Sequence, residues 1–195
     1  MAVLLECANC TNRACVKGGE YPAGCPTSIK AEVIGSAVAH TAGDSLDCKV
    51  MAAAEKTPRR EDGSLRTRLE ELVAFCKEAG FSTIGVAFCI ALAKEAHVLC
   101  DYLSDAGLTV VPVCCKVGSA KLSDLGVESK SSRVTCNPVS QAAILNSYNT
   151  HLNVIAGLCL GHDMLFTRHS DSLVTTFVVK DRALGHNPIQ ALRDS

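Results

Sequence analysis

The sequence predicts an α/β fold, a parallel sheet of about four strands with helices on both faces, preceded by a cysteine-rich N-terminal module. Three observations predict it. From residue 64 onward, apolar runs of strand length alternate with amphipathic helical periods, the pattern of strands covered on both sides. The first 27 residues look different, placing Cys7, Cys10, Cys15 and Cys25 among Gly18, Gly19, Pro22, Gly24 and Pro26 with little periodicity. The chain has 195 residues, 48% of them hydrophobic, which is enough to bury a core. Aromatics are only 4% and Trp is absent, so that core must be built from Val, Ile, Leu and Ala.

Taken in order, residues 1–27 form the cysteine-rich module and residues 28–63 a helical linker region. The linker carries helix candidates at 28–39 and 45–55 around the polar turn His40–Asp44. Pro58 and mixed charges make 56–64 an exposed link, and the charges of 59–68 suit a solvated face. The α/β domain is expected over 64–195. Leu65, Leu69, Leu72, Val73 and Cys76 recur at helical spacing until Gly80 stops the helix. Residues 83–88 read as a strand. Leu92, Ala96, Leu99 and Leu103 mark the next helix, and 108–113 the next strand. A polar loop follows at 116–135, and then Asn137 caps a helix with Pro138 at its first position. Strands at 152–158 and 173–179 complete the set.

Composition removes some functions. Net charge is −1 with no Lys/Arg block, so the footprint of a nucleic-acid binder is missing. No apolar stretch approaches a membrane span, and the run at residues 2–5 is too short for a signal-peptide core. A soluble, cytoplasmic protein is expected.

The outlier is cysteine, with 12 in the chain. In a reducing compartment such a pattern points to metal or catalytic thiols rather than disulfides. Cys7, Cys10, Cys15 and Cys25 stand as C-x2-C-x4-C-x9-C followed by Pro26. Four thiolates close a tetrahedral zinc site or hold an iron–sulfur cluster, with a disulfide pair as the main alternative.

A second set emerges from the strand pattern. Cys89, Cys114 with Cys115, and Cys159 each end a strand, and Cys136 begins the helix before the third strand. Ligands of open α/β sheets bind beyond these carboxyl ends. Neighbours on a strand face opposite ways, so one of the adjacent pair joins a site, and Cys115 is nearer the loop. Cys89, Cys115, Cys136 and Cys159 are therefore candidates for a second cluster or a reactive site, against the plainer reading of small core residues. Cys76 and Cys100 fit the apolar faces of their helices. His162, Lys180 and Arg182 share the same edge and are the candidate catalytic groups, able to bind an anion or donate protons. The plainer alternative pairs Asp181 with Arg182 and starts a last helix at His186. Gly161 is read as permitting a sharp turn or a close backbone approach after Cys159.

These motifs resemble, over nearly the whole chain, a family of unknown function whose cysteine-rich members, from anaerobic bacteria and archaea, are credited with metal binding. The residues that carry the resemblance are the N-terminal Cys pattern, residues 40–49, Gly157–Asp163, Val179–Arg182 and Gly185–Pro188. It implies metal binding in an anaerobic setting, which places a 4Fe–4S cluster above zinc. A looser likeness, of fold only, is to double-cubane and acyl-CoA dehydratase-type proteins. The expected function is an iron–sulfur protein of anaerobic redox metabolism. An electron-transfer protein or a small molecule would be its partner, and an iron–sulfur-dependent oxidoreductase or reductase is the enzyme class to consider. The rival readings are a structural zinc site on a ligand- or partner-binding module, and metal or sulfur trafficking.

Overall fold

The computed structural model describes residues 7–193, so the apolar run at 2–5 lies outside them. The chain divides into two compact units, Met1–Lys56 and Thr57–Ser195.

The first unit is helical. Short helices α1 (Ala14–Lys17) and α2 (Pro26–Ile29) are followed by α3 (Ala31–Thr41) and α4 (Leu46–Lys56). Ser45 starts α4 by accepting from the Cys48 N–H at 3.1 Å. The core is thin: among the described residues of this unit, Ala14 and Ala53 are the buried hydrophobics.

The second unit holds the expected sheet, all of it parallel. Its first helix begins later than the periodicity predicts, α5 spanning Arg68–Ala79. Thr67 and Glu70 form a reciprocal capping box that fixes this start, leaving Leu65 outside and exposed. The charged stretch before it is more than a link. Arg60 grips both Glu70 carboxylate oxygens at 2.7 Å, and Arg59 bridges to Leu65. Strand β1 (Thr83–Phe88) leads through α6 (Ala93–Asp105) to β2 (Thr109–Cys114). Helix α7 (Pro138–Ser147) then leads to β3 (Leu152–Ala156), and α8 (Leu160–His169) to β4 (Leu173–Val178). A short helix α9 (Gln190–Arg193) closes the described chain.

The strand order is β2-β1-β3-β4. Stepping from β1 to β2 goes one way and from β2 over β1 to β3 the other. Right-handed crossovers therefore put α6 on one face and α7 with α8 on the opposite face. Accordingly α6 packs on β1 and β2, and α7 packs on α8. The order reverses between β1 and β3, which makes the carboxyl ends of those two strands the switch point where such sheets bind ligands. The central strands carry the core, with Ile84, Val86, Ala87, Val154 and Ile155 all at 0% exposure. Pro112 is accommodated because β2 is an edge strand. Gly85 is required by close packing, since a Cβ there would lie 2.1 Å from Asn153 Oδ1 and 2.7 Å from Leu145 Cδ1. Between β3 and β4 the register slips: Ile155 pairs with Thr176 but Ala156 with Val178, so Phe177 is an extra residue.

Helix α8 corrects the sequence reading. Leu160–His169 was expected to begin as a turn at Gly161, yet Gly161 lies inside the helix and Cys159 is its N-cap. The turn is made earlier by Gly157, at φ 68°, whose N–H donates to the Val178 carbonyl at 2.8 Å. His186 likewise starts no helix. It sits at φ 67°, accepting on Nδ1 from the Asp181 N–H, while the Asp181 carboxylate accepts from the N–H groups of Ala183 and Leu184.

Candidate thiol sites

In the first unit, Cys7, Cys10 and Cys25 line one open cavity of about 340 Å³ together with Asn9, Asn12, Pro22 and Gly24. Cys15 lies in α1, exposed and not on that wall. Cys25 is the N-cap of α2, and hydrogen bonds from the Thr27 side chain and backbone draw its thiol below the ordinary value. Lowering the thiol makes its thiolate, the form that binds metal, more accessible. The donor set therefore suits a soft metal or an iron–sulfur cluster. As they stand, however, no three His, Cys, Asp or Glu side chains among the described residues are arranged to hold an ion. A site made of all four N-terminal thiols would require the loop to draw in, since Cys15 is off the shared wall.

In the second unit, two strand ends and the start of a helix deliver three thiols into one neighbourhood. Cys89 follows β1, Cys115 follows β2, and Cys136 precedes the Asn137 cap of α7. Backbone bonds seat them: Cys115 N–H donates to the Phe88 carbonyl at 2.9 Å and Asn137 N–H to the Cys115 carbonyl at 2.8 Å. Cys115 and Cys136 stand Sγ to Sγ at 3.6 Å. The Cys89 and Cys115 side chains are hydrogen-bonded, and the Ile90 N–H points at Cys115 Sγ from 3.4 Å. Cys114 packs partly buried against the same apolar cluster.

Two cations reach this edge. Lys180 Nζ lies 3.1 Å from Cys89 Sγ, and Arg182 lies 3.4 Å from Cys159 Sγ. Burial of Cys89 raises its thiol, but hydrogen bonds from Ala91 and Lys180, with the ammonium charge, outweigh burial and leave it below the ordinary value. Burial pushes Cys115 up to about 12, so it stays protonated. His162, in the first turn of α8, is held low by burial and then by the charge of Lys116. Asp163 is raised by burial against hydrogen bonds from Thr176 and Thr167. Cys76 is fully buried in α5 and pushed up to about 11 by burial, as a core residue should be.

Gln141 escaped the sequence reading. It sits in the middle of α7 at 0% exposure, its Nε2 donating to the Val113 carbonyl at 2.7 Å and reaching the Phe88 carbonyl at 3.4 Å. It thus ties the ends of β1 and β2 where Cys89 and Cys115 emerge, and its Oε1 is a buried acceptor with no partner among the described residues. The signal was available: Gln141 lies one turn from Leu145 on the buried stripe, where an apolar residue would be ordinary.

A family model described as a protein of unknown function (DUF1847) matches residues 25–177. The chain belongs to the DUF1847 family. An uncharacterised protein of Methanocaldococcus jannaschii is 38% identical over 194 residues, covering 96% of this chain and 93% of its own length. The resemblance carried by the motifs thus holds at the level of the family. The DUF1847 match includes the sheet-edge thiols and only Cys25 of the N-terminal four. No solved structure matches the chain. No helix among the described residues is long and apolar enough to cross a membrane.

Proposed function

We propose that this chain is an iron–sulfur protein of redox metabolism, with a cluster held by Cys7, Cys10, Cys15 and Cys25 and reactive thiols at the carboxyl edge of the sheet. The observation that carries the first part is the shared cavity of Cys7, Cys10 and Cys25 in a unit whose described residues include only Ala14 and Ala53 as buried hydrophobics. A loop of this kind gains its order from what it binds. When bound, a 4Fe–4S cluster supplies one-electron transfer at a potential set by hydrogen bonds and exposure. The preference for iron over zinc comes from the anaerobic family that the motifs resemble.

The second part is supported by the cations on the edge thiols. Lys180 beside Cys89 favours its thiolate, the nucleophilic form, and the Arg182 guanidinium lies against Cys159 Sγ. His162, half-buried and with its imidazole drawn low by burial, is the proposed proton-exchanging group of this edge. The partner is an electron-transfer protein or a small molecule entering at the β1/β3 switch point.

Anaerobic purification with iron, sulfide and zinc analysis tests the reading. Brown protein that loses its iron in Cys10→Ser supports it. Colourless protein carrying zinc would replace the cluster with a structural ion. A chain that binds neither metal would remove the N-terminal site altogether.

A further inference from the structure

The sheet-edge thiols permit a more definite assignment, which rests on reading that edge as a reactive thiol site and deepens it. We infer that Cys115 and Cys136 are a redox dithiol that reduces a low-molecular-weight disulfide and closes into an intramolecular disulfide.

Two independent features carry this. The sulfurs are 3.6 Å apart, and closing to the bonded separation of about 2.05 Å needs only side-chain rotation if the backbones are already neighbours. They are neighbours, because the Asn137 N–H to Cys115 carbonyl bond of 2.8 Å lays the two chain segments side by side. Loop 116–135 joins the two cysteines, so the crosslink would close that loop without disturbing strand pairing.

Exposure sets the order of events. Cys136 is half-buried and reachable, whereas Cys115 is 1% exposed and walled in by Ile90 and Cys89. Cys136, as thiolate, attacks one sulfur of R–S–S–R, forming a mixed disulfide and expelling R–S⁻, which takes up the proton Cys136 had released. Cys115 then attacks the Cys136 sulfur and expels the second R–S⁻, and the proton of Cys115 ends on that leaving thiol. Cys89 Sγ, hydrogen-bonded to Cys115 and fixed by Lys180, is placed to carry that proton. The balance is two protein thiols and one disulfide going to one protein disulfide and two free thiols. Two electrons pass from the cysteines to the substrate.

The test uses the full chain, purified anaerobically, treated with oxidised glutathione, quenched with acid and mapped by mass spectrometry without reduction. The expected product is a peptide pair joined through Cys115 and Cys136, with two glutathione thiols released per crosslink. Cys115→Ser should stall with glutathione on Cys136, and Cys136→Ser should abolish the crosslink. Cys115→Ala serves if the serine variant does not fold, as judged by circular dichroism. Iodoacetamide labelling of the untreated protein separates two kinds of failure. If Cys136 is alkylated but no Cys115–Cys136 crosslink forms, the dithiol assignment falls while the reactive site stands. If Cys136 resists both reagents, the dithiol assignment falls, and the reactive edge falls with it only if Cys89 and Cys159 also resist iodoacetamide. A crosslink from Cys136 to any other cysteine would also overturn the assignment.

Discussion

Met1–Lys56 carries five cysteines and Thr57–Ser195 carries seven, on very different supports. In the first unit Cys7 and Cys15 are exposed, Cys10 and Cys25 are half-buried, and Ala14 and Ala53 are the buried hydrophobics among its described residues. In the second, Cys89 follows β1, whose Ile84, Val86 and Ala87 are at 0% exposure, Cys115 follows the edge strand β2, where Val113 is buried, and backbone bonds seat both segments. The difference teaches how a thiol acquires a role. Under the proposed function, loop thiols would become a site only by closing on what they bind, whereas sheet-end thiols are positioned before any ligand arrives.

The sharpest way to break this contrast is metal removal. A chelator applied to the anaerobic protein should leave the first unit open to proteolysis across residues 7–30 while the sheet's far-UV signal persists. Structural metal contributes on the order of 10 kcal/mol to comparable small modules, so the loss should be complete rather than graded. Equal protease resistance before and after chelation would show that the first unit is ordered by its own packing.

Gly85→Ala tests the other side of the comparison. A methyl beside Asn153 and Leu145 overpacks the centre of the sheet and should lower the second unit's stability by about 1–3 kcal/mol in urea unfolding. Metal content should not change. Loss of metal together with stability would mean that the two units do not hold their thiols independently.

Much of this architecture was legible. Residues 83–88 were predicted and observed as one strand because the run is uniformly apolar and Gly80 ends the helix before it. Asn137 and Pro138 announced α7 for equally local reasons, the Asn side chain accepting from Ser140 N–H at 3.0 Å. Helix α8 was missed because Leu160, Met164 and Leu165 face outward, leaving Phe166 its buried residue and blurring the helical period. Of the site, the cysteines at the strand ends could be named from sequence, as could Lys180 and Arg182. What each cation touches could not. Lys180 meets Cys89 across 91 residues only because β1 lies between β2 and β3, and strand order is not written in any local pattern.

That long-range contact can be tested next. Lys180→Met removes the charge that favours the Cys89 thiolate, so iodoacetamide should label Cys89 severalfold more slowly at neutral pH. Labelling as fast as in the parent would show that the Ala91 N–H alone sets its reactivity.

The smallest expected effect concerns the Arg60–Glu70 clamp and capping box. Together they bring Glu70 from its ordinary 4.5 to about 2. Because the folded value is the lower one, the stabilisation is fully present above about 4.5 and is lost as pH falls toward about 2. Glu70→Gln should flatten the acid limb of the second unit's stability curve over that window and leave metal binding at neutral pH unchanged. An unaltered acid limb would mean that the exposed pair is screened out.

The slipped register at the end of β3 and β4 has a consequence for aim. Without Phe177 as a supernumerary residue, Ala156 would face Phe177 and every later β4 side chain would arrive one step further along and on the reverse side of the sheet. Cys89 is anchored to β3 through its N–H on the Ala156 carbonyl, so the ladder from Ala156 onward is the ruler against which Lys180 is placed. A single inserted residue thus works as a phase shifter, turning the tail of an edge strand so that its ammonium meets a sulfur two strands away.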